Sequence, residues 1–201
     1  MKKLRLKKKQ KNRLLTFILL FSVLALIFAA YLDRDKETEP ANQTLLQDQT
    51  TLDFIQTIGP TAQEIAAAND LYASVMIAQA VLESDSGQSA LSQAPNFNFF
   101  GIKGDYMGQS VTMATLEDDG SGHYYQVDAD FRSYGSQRES LQDYAQLLQK
   151  DIYKNVRKTS ARSYQEATAA LTGTYATDTA YGEKLNRIIE TYGLTIYDRI
   201  F

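Results

Sequence analysis

The sequence contains no cysteine. Disulfides, thiolate metal centres and a cysteine nucleophile are therefore excluded. Histidine is almost absent: His123 is the only one in 201 residues. That rules out a His-rich metal centre and most Ser-His or Cys-His pairings. Basic charge is also scarce beyond residue 32. The first 32 residues hold eight Lys or Arg and no acid, leaving 13 basic against 24 acidic side chains in the remainder. Nucleic-acid affinity comes largely from neutralised phosphates, so a domain this acidic is a poor nucleic-acid binder. Any chemistry falls to carboxylates, hydroxyls and amides.

What is present is an ordinary globular composition, 44% hydrophobic and 22% charged, enough for one domain plus appendages. The appendages come first. Residues 1–13 form a basic tail from Lys2 to Arg13, and Leu14 to Leu32 then run for 19 residues without a charge. As a helix this stretch spans roughly 28 Å, close to a hydrocarbon core of ~30 Å. The expectation is one transmembrane helix over 14–32, a signal-anchor whose basic flank stays in the cytoplasm and whose C-terminal domain lies outside. The alternative is a secretory signal cleaved near Phe28-Ala29-Ala30. Either way the domain is exported. Residues 33–50 read as an acidic polar linker, and 51–201 as the folded domain.

Within the domain, Phe54, Ile55 and Ile58 predict a short helix ending at Gly59, with Pro60 opening a second helix from Thr61 to Ala68. Tyr72 to Leu82 is apolar nearly all round and predicts a buried central helix, stopped by Ser84 to Gly87. Asn96 to Gly104 reads as a loop. Two extended runs, Ser110–Leu116 and His123–Val127, flank an acidic, Gly-rich tip and predict a β-hairpin. Helices follow at about Ser136–Lys150, Ser163–Leu171 and Thr179–Tyr192. The fold class is α+β, mostly α, with one small hairpin.

Glu83 is the sharpest chemical signal. It ends the apolar run Ala78-Gln79-Ala80-Val81-Leu82, where burial and the negative end of the helix dipole both disfavour a charged carboxylate. A raised pKa is what a general acid near neutrality needs, and glycoside hydrolysis uses such an acid to protonate the leaving oxygen. The plainer reading is an exposed Glu at a helix end. Asp118-Asp119-Gly120 lacks EF-hand spacing, so no metal and no cofactor are expected, and His123 reads as a surface hairpin residue.

The stretch Ala78-Gln79-Ala80-Val81-Leu82-Glu83-Ser84 followed by Asn98-Phe99-Phe100-Gly101-Ile102-Lys103-Gly104 resembles glycoside hydrolase family 73, the glucosaminidases. Three further blocks match in order: Ser110-Val111-Thr112-Met113, Phe131-Arg132-Ser133-Tyr134, and Tyr175-Ala176-Thr177-Asp178 with Tyr181. The resemblance covers roughly residues 52–197. It implies a lysozyme-like domain that hydrolyses the N-acetylglucosaminyl-β-1,4-N-acetylmuramic acid bond of peptidoglycan glycan strands. It implies Glu83 as general acid, Glu117 in the region of a second carboxylate, and Tyr175 as an active-site tyrosine. Asn98, Phe99, Gly101, Lys103, Tyr125 and Tyr181 are the expected substrate-binding residues. Asn98 can bond an acetamido group, and Gly101 permits close backbone approach. Only one of Tyr124 and Tyr125 can face the groove.

The chain departs from the family in two places. Many members carry Ser-Gly-Trp-Gly where this chain has Ser84-Asp85-Ser86-Gly87, which removes a possible sugar-stacking ring. Around Glu117 the match is loose, and Asp118 and Asp119 compete for the same role. The mechanism is open between an inverting pair of carboxylates and attack by the substrate's own 2-acetamido group. A muramidase or lytic transglycosylase, and a non-catalytic wall-binding module, are the competing functions. The expected partners are glycan strands and, through the N-terminal helix, the cytoplasmic membrane. Oligomeric state is left open.

Overall fold

A computed structural model describes residues 46–118 and 124–199. The expectations for the basic tail, the apolar stretch 14–32, most of the linker and His123 lie outside the described residues. Among the described residues, no helix is long and apolar enough to cross a membrane. One compact unit spans Thr50–Phe201. It is a mostly helical α+β arrangement with a single two-stranded antiparallel sheet among the described residues.

The first correction concerns Gly59 and Pro60. Helix continues without a break through both, and α1 covers residues 50–68 of this unit. Thr51, Ile55, Ile58, Ala62, Ile65 and Ala66 are buried, at steps of three and four that carry one apolar face straight across the Gly-Pro pair. Pro60 lies on the exposed face. Gly59 has a packing role instead: a Cβ there would lie 2.6 Å from the ring of Tyr197.

Helix α2, Ala73–Ser84, is the central element, with every residue from Ala73 to Val81 buried. The expected all-round apolar helix is therefore present. Fully burying side chains such as Met76 and Ile77 stabilises by about 1.5–3 kcal/mol each. Its Tyr72 N-cap gives no side-chain bond. Instead Asp198, at the far end of the chain, accepts from Ser74 N at 2.9 Å and from Ser74 Oγ at 2.6 Å. This places a carboxylate at the positive end of the helix.

Strands β1 (Ser110–Asp118) and β2 (Tyr124–Arg132) pair antiparallel, Val111 opposite Phe131 and Glu117 opposite Tyr125. Val111, Met113, Thr115, Val127, Ala129 and Phe131 form the more protected face, while Thr112, Asp128 and Asp130 point to solvent. The base of the hairpin is tied to α3, Gln137–Leu147, through Asp143. Its carboxylate takes hydrogen bonds from Arg132 Nη1 at 2.5 Å and Tyr134 Oη at 2.7 Å. A 3-10 turn, Asp151–Val156, leads to α4, Tyr164–Leu171, and α5, Tyr181–Thr191. Ser136 and Ser163 cap α3 and α4 through Glu139 N and Glu166 N. Gly182 lets α5 press on α4, where a Cβ would lie 2.9 Å from Thr168 O. A last 3-10 turn, Leu194–Asp198, packs on α2.

Candidate active site

Glu83 stands where the central helix stops, and the stop is built into the sequence. Ser84 Oγ bonds back to Ala80 O at 2.5 Å and accepts from Gly87 N at 2.7 Å. Asp85, Ser86 and Gly87 then all adopt positive φ, at 52°, 55° and 76°. The chain turns away, and Glu83 is left on the wall of a groove. Its helix is buried, but Glu83 itself is exposed on the groove side. Protein nonetheless crowds the carboxyl closely enough for desolvation to raise its pKa, opposed by a hydrogen bond from Tyr181.

That hydrogen bond is the last of three. Tyr181 Oη donates to Glu83 Oε1 at 2.6 Å, Gln79 Nε2 donates to Tyr181 Oη at 2.9 Å, and Tyr144 Oη donates to Gln79 Oε1. Gln79, Tyr144 and Tyr181 are all buried. Asp178 sets Tyr181 at the first residue of α5: its Oδ1 accepts from Ala180 N at 2.9 Å, its carbonyl from Tyr181 N, and its Oδ2 pairs with Lys184. Burial, then the neighbouring Glu83 charge, push the Tyr181 phenol far up, so it stays a proton donor at any working pH. Tyr181 was expected to bind substrate. The structure places it behind Glu83, outside the groove lining.

The groove has a volume of about 320 Å³ and is lined by Glu83, Phe100, Gly101, Lys103, Tyr153 and Tyr175, among others. Gly101, at φ 62° with open space where a Cβ would stand, and Lys103 are where the sequence put them. Tyr175 faces the groove, stacks on Tyr181 with centroids 6.1 Å apart, and donates to Phe100 O at 2.8 Å. Burial raises its pKa.

Asn98 and Phe99 turn inward. Asn98 is 1% exposed. Its amide donates to Ile102 O and Arg132 O, both at 2.9 Å, and accepts from Ile102 N at 3.0 Å. With its capacity spent on the loop and the hairpin base, it has nothing to offer an acetamido group. Phe99 packs edge-on to Phe54 in the core. Phe100 and Tyr153, not singled out from the sequence, line the groove in their place. Gln79 was also missed, although its position one turn before Glu83 on the same helix face was the available signal.

Glu117 and Tyr125 are described by backbone alone. The register sets them opposite each other, with Asp118 opposite Tyr124. Asp119 lies outside the described residues. Among the described residues, no cluster of acidic or histidine side chains could hold a metal.

A carboxylic acid of raised pKa on the wall of an open groove, backed by a phenol and set on a mostly helical α+β domain, matches the general acid of a glycoside hydrolase. The chain belongs to the glucosaminidase family, glycoside hydrolase family 73: the model of the mannosyl-glycoprotein endo-beta-N-acetylglucosaminidase family matches residues 59–194. It is 36% identical over 201 residues to exo-glucosaminidase LytG of Bacillus subtilis, covering 98% of this chain and 70% of that one. It is 48% identical over 151 residues to a probable N-acetylmuramidase of Lactococcus lactis subsp. cremoris, covering 72% of this chain and 34% of the relative. The catalytic domain of autolysin Auto from Listeria monocytogenes superposes with a TM-score of 0.70 at 47% identity, covering 74% of this chain and 88% of that domain. The chain spans only about a fifth to a third of the length of several relatives near 50% identity.

Proposed function

We propose that this chain hydrolyses the N-acetylglucosaminyl-β-1,4-N-acetylmuramic acid bond of peptidoglycan glycan strands, with Glu83 as general acid on a lysozyme-like domain. The observation that carries this reading is the Glu83 carboxyl, opened to the groove and raised in pKa by the protein around it. Protonated, it gives its proton to the glycosidic oxygen as the C–O bond breaks and positive charge develops on the sugar. Tyr175 lines the groove and already gives its own proton to Phe100 O, so its oxygen is left as an acceptor. That suits an acetamido N–H, and such a contact would orient the group for attack on the anomeric carbon. Glu117, on β1, is the candidate base for the alternative in which water attacks. Inversion would then need the two carboxyls ~6.5–9.5 Å apart.

A second reading has support in the name of the lactococcal relative, a probable N-acetylmuramidase. The two readings differ only in which sugar is left at the new reducing end. Mass spectrometry of digested peptidoglycan before and after borohydride reduction separates them. Reducible N-acetylglucosamine ends are expected; N-acetylmuramic acid or anhydro ends would overturn the glucosaminidase reading, and an absence of fragments would favour a wall-binding module.

We also propose that residues 14–32 anchor the protein in the cytoplasmic membrane with the domain outside. The support is the uncharged 19-residue stretch behind a basic flank. Membrane fractionation with protease applied to intact cells tests it: a full-length, protease-sensitive membrane species is expected. A soluble species shortened near Ala30 would show cleavage instead.

A further inference from the structure

A carboxylic acid has two oxygens, and a general acid works only if its proton sits on the one that faces the leaving group. Around Glu83 the two oxygens are not equivalent. Oε1 takes the Tyr181 hydroxyl at 2.6 Å, while Oε2 has no hydrogen-bond partner among the described residues. We propose that Gln79 and Tyr144 are positioning residues, forming with Tyr181 a one-way hydrogen-bond chain that keeps Oε1 occupied and assigns the transferable proton of Glu83 to Oε2. This rests on the reading of Glu83 as general acid.

The direction of the chain follows from what each group can do. Tyr144 is fully buried in α3, and its hydroxyl proton has one acceptor among the described residues, the Gln79 carbonyl oxygen. The amide can therefore present only its N–H end to Tyr181, at 2.9 Å. The Tyr181 oxygen is thus already an acceptor, and its own proton is left for Glu83. Burial denies every link a water that might reverse it: Gln79 and Tyr144 are 0% exposed and Tyr181 is 3% exposed. An oxygen that accepts so short a bond is the poorer site for the acid proton, so protonation goes to Oε2. A single phenol with a free rotor would not do this, because it could equally accept from a protonated Oε1.

The anchoring also bears on acidity, since the Tyr181 bond favours the ionised carboxyl and offsets the desolvation that raises its pKa. Among the described residues, the other titratable groups around Glu83 are Lys103 on the loop, Tyr153 on the 3-10 turn, Tyr175 before α5 and Tyr144 in α3. None of the tyrosines is charged at neutral pH. Breaking the chain upstream should loosen the Tyr181 bond and let the pKa of Glu83 rise.

The test compares full-length Tyr144→Phe, Gln79→Met and Tyr181→Phe with wild type, and uses Glu83→Gln as the control for the underlying reading. Tyr144→Phe removes one oxygen and keeps the core volume, so it serves if Gln79→Met does not fold. The readouts are the upper-pH limb of kcat/KM on peptidoglycan and the carbon-13 titration of the Glu83 carboxyl. A general acid must be protonated, so a raised pKa moves that limb to higher pH. Tyr144→Phe and Gln79→Met should each shift limb and titration upward by about half a unit or more, in the direction of Tyr181→Phe, with kcat reduced and KM little changed. Unmoved profiles in both upstream variants, or in Tyr181→Phe itself, would overturn the proposal. Full activity in Glu83→Gln would instead refute the general-acid reading, a result distinct from either.

Discussion

Changing Asn98 to alanine separates a structural role from a substrate contact in one experiment. The amide makes three well-formed internal bonds, at 2.9, 2.9 and 3.0 Å, joining the groove loop to the end of β2. At about 1 kcal/mol net for each bond, the substitution should cost roughly 3 kcal/mol, a large share of the ~5–15 kcal/mol that holds a typical domain. For a domain of this size 1 kcal/mol moves Tm by about 2–4 °C, so a fall of roughly 6–12 °C is expected. Thermal unfolding followed by near-ultraviolet circular dichroism reads the loss, and initial rates on purified wall read the function well below the transition. Because Gly101 and Lys103 sit on the freed loop, kcat should fall along with stability. A variant with Tm within about 2 °C of wild type and KM raised several-fold at unchanged kcat would refute the reasoning and restore Asn98 as a ligand of the sugar.

Three other outcomes follow from the same geometry. Glu83→Gln should lower wall hydrolysis by at least ~10²-fold without changing the circular-dichroism spectrum; near-normal lysis would remove Glu83 from the chemistry. The same variant should gain stability at higher pH. The folded chain holds the Glu83 proton more tightly than the unfolded one, so wild-type stability falls as pH rises from the ordinary value of 4.5 through the raised folded value. Urea midpoints of the two proteins should therefore coincide in acid and diverge above that window, with the glutamine form ahead; the reverse order would contradict the shift. At the helix stop, Gly87→Ala combines φ 76° with a Cβ 2.6 Å from the Phe54 ring and should cost about 1–3 kcal/mol. Asp85→Gly, at φ 52°, should gain up to ~1 kcal/mol, and urea midpoints that moved the other way would contradict both.

Much of this arrangement is legible in the sequence where a local rule and the tertiary outcome agree. The apolar run into Glu83, the serine caps of α3 and α4 and the hairpin all have a local cause. β2 runs five residues beyond the expected Val127 because Asp128 and Asp130 take the solvent face, so their charges did not mark a strand end. Gly59-Pro60 misled because punctuation was weighed above periodicity, and the buried steps on either side show periodicity winning. The site residues divide along a different line. Gly101 and Lys103 reach the groove, but Phe99 and Phe100 are both buried, and that Phe100 alone of the two borders the groove is a long-range outcome with no local signature. Tyr181 was expected to bind substrate, whereas it is buried and hydrogen-bonded to Glu83. Nothing in a linear sequence says that residues 79, 144 and 181 share one buried file.

The bond between Ser74 and Asp198 has a consequence in time. The helix that carries Glu83 is capped at its opposite end by one of the last residues of the domain to be made. That helix therefore stays uncapped at its N-terminus until the turn Leu194–Asp198 has docked on α2. The cap joins residues 124 positions apart, so the helix that carries Glu83 reaches its final form only through long-range closure of the domain.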